Sequence, residues 1–419
     1  MLELKYSHIG DLAPKLRHVL DEFSRQNHLH IELVQIDWEN AWPDILRWSL
    51  YEHGPDISHI GSTWGASLVG MNALRPFSPD DIRVAGGEQA FLPHCWQSGL
   101  STEKDKVWSL PWHGYTFLIS YRRDLLEKAG IDEKAAFQSA QSLSETIAKL
   151  KEKISENPWV VPVSQQHPAT LHYVASWVWG AGGDFITPDG RQVAFLEPVT
   201  LDAICSYHSL LRSMTPVALP LDHGDALNIF LDGKAAVGIV GSGTAYNWML
   251  DQQMSPEMCE KVGFAPIPGT PWVGGDNIVI WKNALISSER ERAAVALAQH
   301  LVSLETQRAL TQGDDVALPT RSEATGKNIR DRALAVTLPT RFEAFNALPM
   351  QNTPLTDSII YSLRNGRSYR PMSTWAKIEY RFAHVFGQIG AEILAGADVN
   401  ATVRKHLEAH ARWLEIVLQ

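Results

Sequence analysis

Apolar positions along the first third of the chain switch between two spacings. Leu2 to Tyr6 reads as a strand, and after Gly10 the residues Leu12, Leu16, Val19, Leu20 and Phe23 recur at helical spacing with charges between them. His30 to Ile36 is a second strand, Trp42 to Glu52 a second helix carrying Ile45, Leu46 and Trp48, and Pro55 to Gly61 a short apolar strand. Strand, helix, strand, helix, strand predicts a doubly wound α/β layer. Ligands of such layers sit beyond the carboxyl ends of the strands, which singles out the loops Ser7 to Asp11 and Ser62 to Trp64.

The middle of the chain turns on Leu110 to Asp132. A Pro-Trp-His-Gly opening favours extended or irregular backbone, an uncharged, aromatic-rich stretch with the length of a buried strand follows it, and Asp124 to Ala129 is one amphipathic turn stopped by Gly130 in a left-handed conformation. Helical periodicity follows over Leu143 to Ile154 and Leu201 to Arg212, separated by the aromatic-rich Leu171 to Trp179 and its glycine break. Ala235 to Val240 reads as a small-residue buried strand, and Gly263 to Gly269 and Trp272 to Trp281 as extended pieces. One long helix is expected from Ser287 to Gln312, and two more from Trp375 to Leu394 and Val399 to Leu418.

At 419 residues, two domains are the default. A net charge of -10 without a basic stripe argues against nucleic acid as a partner, and no run approaches the roughly 18 to 20 apolar residues of a membrane span, so a soluble chain is expected. Cys95, Cys205 and Cys259 are odd in number and far apart, which predicts neither a disulfide framework nor a thiolate metal site. Met1 leads directly into a strand, so either a leader was removed or the chain is cytosolic.

Recognised catalytic patterns are missing. Gly238 to Gly243 places Tyr246 where a dinucleotide loop needs glycine, and it is neither a nucleophile elbow nor a P-loop. His406 and His410 have a spacing that can pair imidazoles, yet with no third ligand nearby a solvated face is expected; Asp222 to Asp225 reads as a surface turn entering a helix. No cofactor and no metal are expected. What changes the picture is 15 tryptophans, more than a core requires, because each buried indole N–H needs a partner. Trp64, Trp112, His113, Tyr173, Trp177, Trp179, Tyr246, Trp272 and Trp375 lie on or near loops and glycine breaks. Flat rings with polar tips suit the C–H faces and hydroxyls of a sugar, although about half of them would serve an ordinary core.

The sequence resembles the extracellular solute-binding proteins of ABC transporters, the sugar-binding family typified by maltose-binding protein. The likeness spans nearly the whole chain and is carried by Pro55-Asp56-Ile57 entering Ser62 to Trp64, Leu110-Pro111 through Tyr121 to Ile131, and Gly182-Gly183. Phe230 to Ala236, Gly263 to Pro268 and Leu318-Pro319-Thr320-Arg321 complete the order. It implies a periplasmic-binding-protein-like α/β fold of two lobes joined by a hinge with a ligand cleft between them: residues 1–110 with 266–316, and 111–262 with 317–419. The family's frequent tryptophan after the Gly-Lys-Ala-Ala strand is replaced near Gly243, leaving Tyr246 or Trp248 to supply that surface. The usual Thr-Trp-Asp/Glu-Glu-Leu signature after Gly130 is also absent.

The expectation is therefore a substrate-binding subunit of an ABC importer. It would hold a mono- or oligosaccharide without catalysis and present it to permease subunits, as a monomer in the periplasm or outside the cell. Trp64, Trp112, Trp272 and Trp375 would stack; His8, Asp11, His113, Tyr115 and Asp276 would make polar contacts; Ser62, Thr63, Tyr173, Trp177 and Tyr246 would complete the site. The alternatives are a soluble sensor of the same fold in the cytoplasm, and a glycoside hydrolase, which would need paired carboxylates.

Overall fold

A computed structural model describes residues 1–10, 12–38, 40–51, 53–100, 105–165, 169–215, 221–250, 254–282, 286–311, 338–348 and 350–418. Asp11 and the Leu318 to Arg321 motif lie outside them. The chain divides into two compact units: Met1–Tyr115, Gly274–Gln351 and Ser368–Ala376 form the first, and Thr116–Val273, Asn352–Arg367 and Lys377–Gln419 the second. Residues 111–115, 338–351 and 368–376 thus belong to the first unit and 266–273 to the second.

Nine strands are described: β1 (Leu2–Ile9), β2 (Leu29–Ile36), β3 (Ile57–Gly61), β4 (Leu74–Arg75), β5 (Ser109–Arg122), β6 (Val237–Gly241), β7 (Val262–Pro266), β8 (Val273–Trp281) and β9 (Leu338–Pro339). In the first unit the order is β2-β1-β3-β8-β5, with β4 on β8 and β9 on β5. β1 runs parallel to β2 and β3, and β8 runs antiparallel to β3 with Gly61 opposite Asp276. The helix Pro14–Gln26 turns Leu16, Val19, Leu20 and Phe23 inward, as their spacing requires. They meet Tyr6, Ile57, Trp112, Ile278 and the inner face of helix Ser288–Leu301 in one core.

The long helix expected from Ser287 to Gln312 is instead two, Ser288–Leu301 and Leu304–Leu310. Val302 ends the first and Ser303 caps the second: the Ser303 side chain accepts from the Thr306 amide at 3.1 Å, offering the backbone an alternative to continuing. Of the extended and irregular backbones open to Pro111 to Gly114, the structure has the extended one, within β5. The carbonyl of Trp112 accepts from the Gln307 side chain and that of Pro111 from Thr340, so extended backbone is satisfied there from outside the ladder.

In the second unit β5 is flanked by β6 and β7, Leu118 lying opposite both Val240 and Pro266. The aromatic-rich segment is the helix Ala169–Gly180, in which every residue from Ala169 to Trp179 is buried. A helix apolar on all sides has no solvent face, so Trp177 and Trp179 are covered although they point in different directions. Trp177 lies edge-on to Tyr207, 5.1 Å away, on the helix Pro198–Ser209. Gly130 has φ +66°, the left-handed stop its position implied.

The last helix, Val399–Leu418, overturns the solvated reading at one of its two histidines. His406 pairs with Glu392 at 2.8 Å, whereas His410 is buried against Phe195, Phe382 and Trp413. Burial, with Arg381 adding to it, pushes the His410 imidazole down to about 4; burial does the same at His208. Both groups are neutral when folded and take up protons near 6.5 when unfolded. Their contribution is complete above pH 6.5 and is lost as the pH falls toward 4. Urea unfolding followed against pH should show this decline, and His410→Phe should reduce its slope by up to one proton; an unchanged slope would show that His410 is not neutral in the folded chain.

Candidate functional site

The polar group of the first unit is built at the ends of its strands. β1 carries His8, β3 His59, β8 Asp276, and the unit's part of β5 Trp112 and His113. Because β8 runs against β3, Asp276 at its start stands beside Gly61 at the end of β3. The Asp276 carboxylate lies 3.2 Å from His59 Nε2 and 3.4 Å from His113 Nδ1. Among the described residues no lysine or arginine pairs with it. Burial alone would raise the Asp276 pKa, but His59 and His113 outweigh it and hold the carboxyl well below the usual range, so it is ionised. Burial pushes His113 down to about 4 despite Asp276, leaving that imidazole neutral.

The rest of the group fixes these rings. The Ile9 amide donates to His59 Nδ1 at 3.3 Å, His8 Nδ1 lies 3.3 Å from the same nitrogen, and the Tyr6 hydroxyl is 3.5 Å from His8 Nδ1. Trp112 stacks on His113 with centroids 3.7 Å apart and meets His59 edge-on at 4.9 Å. Gly275 has φ +141°, and a Cβ there would run into the carbonyl oxygen of His113. That contact is why glycine precedes Asp276: it lets β8 come close enough for the carboxylate to reach both imidazoles. Ser62 and Thr63 follow β3 with partly buried side chains, and the Ser62 amide donates to the Gly275 carbonyl at 2.8 Å.

The other expected residues are dispersed. Trp64 is buried between Trp38 and Trp42, with centroids 5.7 Å from each, and Trp375 packs on Tyr369 at 4.4 Å; both belong to the first unit. Tyr115 is half-buried. In the second unit Trp272 stacks face to face on His172 at 3.9 Å, with Phe117 5.6 Å away, and Tyr173 stands edge-on to Phe117 at 4.7 Å. Its hydroxyl lies 3.3 Å from His223 Nδ1, and Glu379 is 3.7 Å from His172. Trp177, Tyr246 and Trp248 are core residues of that unit. Asp11 is outside the described residues.

Sequence reasoning passed over His59, which touches His8, Trp112, His113 and Asp276. A signal existed. Histidine is the one titratable side chain in the otherwise apolar or small β3, two residues before the strand end that the α/β pattern marks as functional.

No sequence among functionally curated proteins matches the chain. The bacterial extracellular solute-binding protein family matches it over residues 18–335. Among solved structures, an ABC transporter solute-binding protein from Thermotoga lettingae bound with alpha-D-tagatose is 18% identical, with TM-score 0.76 over 98% of this chain and 99% of that one. Maltose-bound MalE3 of T. maritima is 19% identical, with TM-score 0.76 over 99% and 100%. UgpB from Mycobacterium tuberculosis in complex with glycerophosphocholine is 16% identical, with TM-score 0.75 over the full length of both. At these identities the likeness shows the fold, a periplasmic-binding-protein fold of two α/β units, while the family match covers more than half of the chain. The protein belongs to the bacterial extracellular solute-binding protein family.

Proposed function

We propose that this protein is the receptor subunit of an ABC importer for a neutral carbohydrate or polyol, working outside the cytoplasm and delivering its solute to permease subunits. The observation that carries this reading is the convergence of His113, His59 and ionised Asp276 from the three neighbouring strands β5, β3 and β8, with Ser62 and Thr63 beside them. An ionised carboxylate and a neutral imidazole accept from sugar hydroxyls, and half-buried hydroxyl side chains complete the exchange in which each buried ligand hydroxyl must find a partner. The ionised carboxylate, which no lysine or arginine among the described residues pairs, also repels an anionic solute. Trp64, Trp112 and Trp375 are the first unit's aromatic residues in this reading, with Tyr115 and His8 as further polar contacts.

Calorimetry in EDTA with maltose, tagatose and ribitol, and glycerophosphocholine for comparison, tests it. At least one neutral compound should give saturable heat, and Asp276→Asn should weaken that binding by about ten- to a hundredfold, or roughly 1.4–2.8 kcal/mol. Heat from glycerophosphocholine alone would defeat the carbohydrate assignment.

A further inference from the structure

The same three side chains are placed so that one metal ion can be shared among them. His59, His113 and Asp276 each offer a ligand atom, and these atoms lie within 4.8 Å of one another; among the described residues they are the group of three that does so. A tetrahedral ion with bonds of about 2.0–2.1 Å holds its donors roughly 3.3 Å apart. The two contacts of the carboxylate oxygen, 3.2 Å to His59 Nε2 and 3.4 Å to His113 Nδ1, have that length. His59 Nε2 is fully covered, and despite the short distance it makes no directed hydrogen bond.

Charge points the same way. Asp276 keeps only 16% of its side-chain surface exposed, His59 3% and His113 10%, and neither lysine nor arginine among the described residues neutralises the carboxylate. A carboxylate and two imidazoles covered this closely have the charge and donor atoms to share one divalent cation. We infer that His59, His113 and Asp276 form a binding site for a divalent transition-metal ion of the zinc type. Two imidazoles and one carboxylate suit such an ion, and three protein ligands leave the fourth tetrahedral position to water or a solute oxygen. Binding moves the His59 proton from Nε2 to Nδ1. There it gives up the Ile9 amide bond and donates to His8 Nδ1, 3.3 Å away, a partner of the kind that orients metal-bound histidines. The remaining edge of the ligand triangle closes around the ion.

The site stands independently of which solute the protein carries. The full chain, stripped with EDTA and dialysed, is titrated with Zn²⁺ by calorimetry, and Co²⁺ is added separately to read coordination from its visible absorption. One Zn²⁺ should bind per chain, and bound Co²⁺ should give the intense bands of four-coordination. Asp276→Asn and His59→Gln should each weaken Zn²⁺ binding by roughly 100-fold. His406→Ala, which removes the surface His406–Glu392 pair, should leave it unchanged. Should either site variant fold poorly, the wild-type Co²⁺ spectrum decides alone: weak six-coordinate bands overturn the inference. So do the absence of Zn²⁺ binding, or binding lost in His406→Ala and retained in the site variants. Sugar calorimetry in EDTA is read separately, so loss of the metal site and loss of the carbohydrate reading cannot be confused.

Discussion

Replacing Arg290 with alanine lowers the unfolding free energy of the first unit by about 3–5 kcal/mol. Asp56 lies just before β3 with no exposed surface, and Arg290 meets it with two hydrogen bonds, Nε to Oδ1 at 2.6 Å and Nη2 to Oδ2 at 2.7 Å. The Lys5 amide donates to Oδ2 as well, at 2.8 Å. Planar, two-pronged pairing is the strong form of a charged hydrogen bond, and Arg290 keeps a quarter of its side chain in water, so its own desolvation is modest. Removing it strands a carboxylate that cannot move to solvent. Urea denaturation monitored by tryptophan fluorescence measures the loss, and a change under 1 kcal/mol would mean that water replaces the guanidinium. The double variant Asp56→Ala, Arg290→Ala should be less damaging than the two single losses summed, because no lone charge remains.

Gln307→Leu should destabilise the same unit by about 2–4 kcal/mol, estimated from two orphaned buried amides at 1–3 kcal/mol each. Gln307 is buried on the helix Leu304–Leu310. Its Oε1 accepts from the Thr340 and Arg341 amides at 3.0 and 2.9 Å, and its Nε2 donates to the Trp112 carbonyl at 3.1 Å and Thr340 Oγ1 at 2.9 Å. Leucine fills a similar volume and satisfies none of the four. The Trp112 carbonyl immediately precedes His113, so the variant also loosens one imidazole of the candidate site. Hydrogen exchange at Thr340 and Arg341 should accelerate selectively; uniform protection in Gln307→Leu would contradict the assignment of these bonds.

Much of the architecture was legible because it is local. Helix Pro14–Gln26 follows from the Leu12 to Phe23 spacing, and Trp375–Leu394 and Val399–Leu418 have the bounds that periodicity marks. The break at Val302–Ser303 escaped because apolar spacing runs on through it, whereas the stop is a side-chain cap that competes with the helix over a single turn. At Pro111 to Gly114 proline and glycine preference left extended and irregular backbone both open, and distant partners, Gln307 and Thr340, decide for the extended form.

The candidate site was legible as residue types and not as neighbours. By itself the sequence determined the two α/β units in kind, the strand ends at which chemistry belongs, and a family resemblance spread over many short motifs, since each depends on spacing within a few dozen residues. Only the tertiary structure decided that Trp177, Tyr246 and Trp248 are core, that His410 is buried away from His406, and that His59, His113 and Asp276 share one carboxylate oxygen. His59 and His113 stand 54 residues apart in the sequence, and His113 and Asp276 163. Their meeting depends on sheet order and on the close approach that Gly275 permits, and neither leaves a periodic mark along the chain.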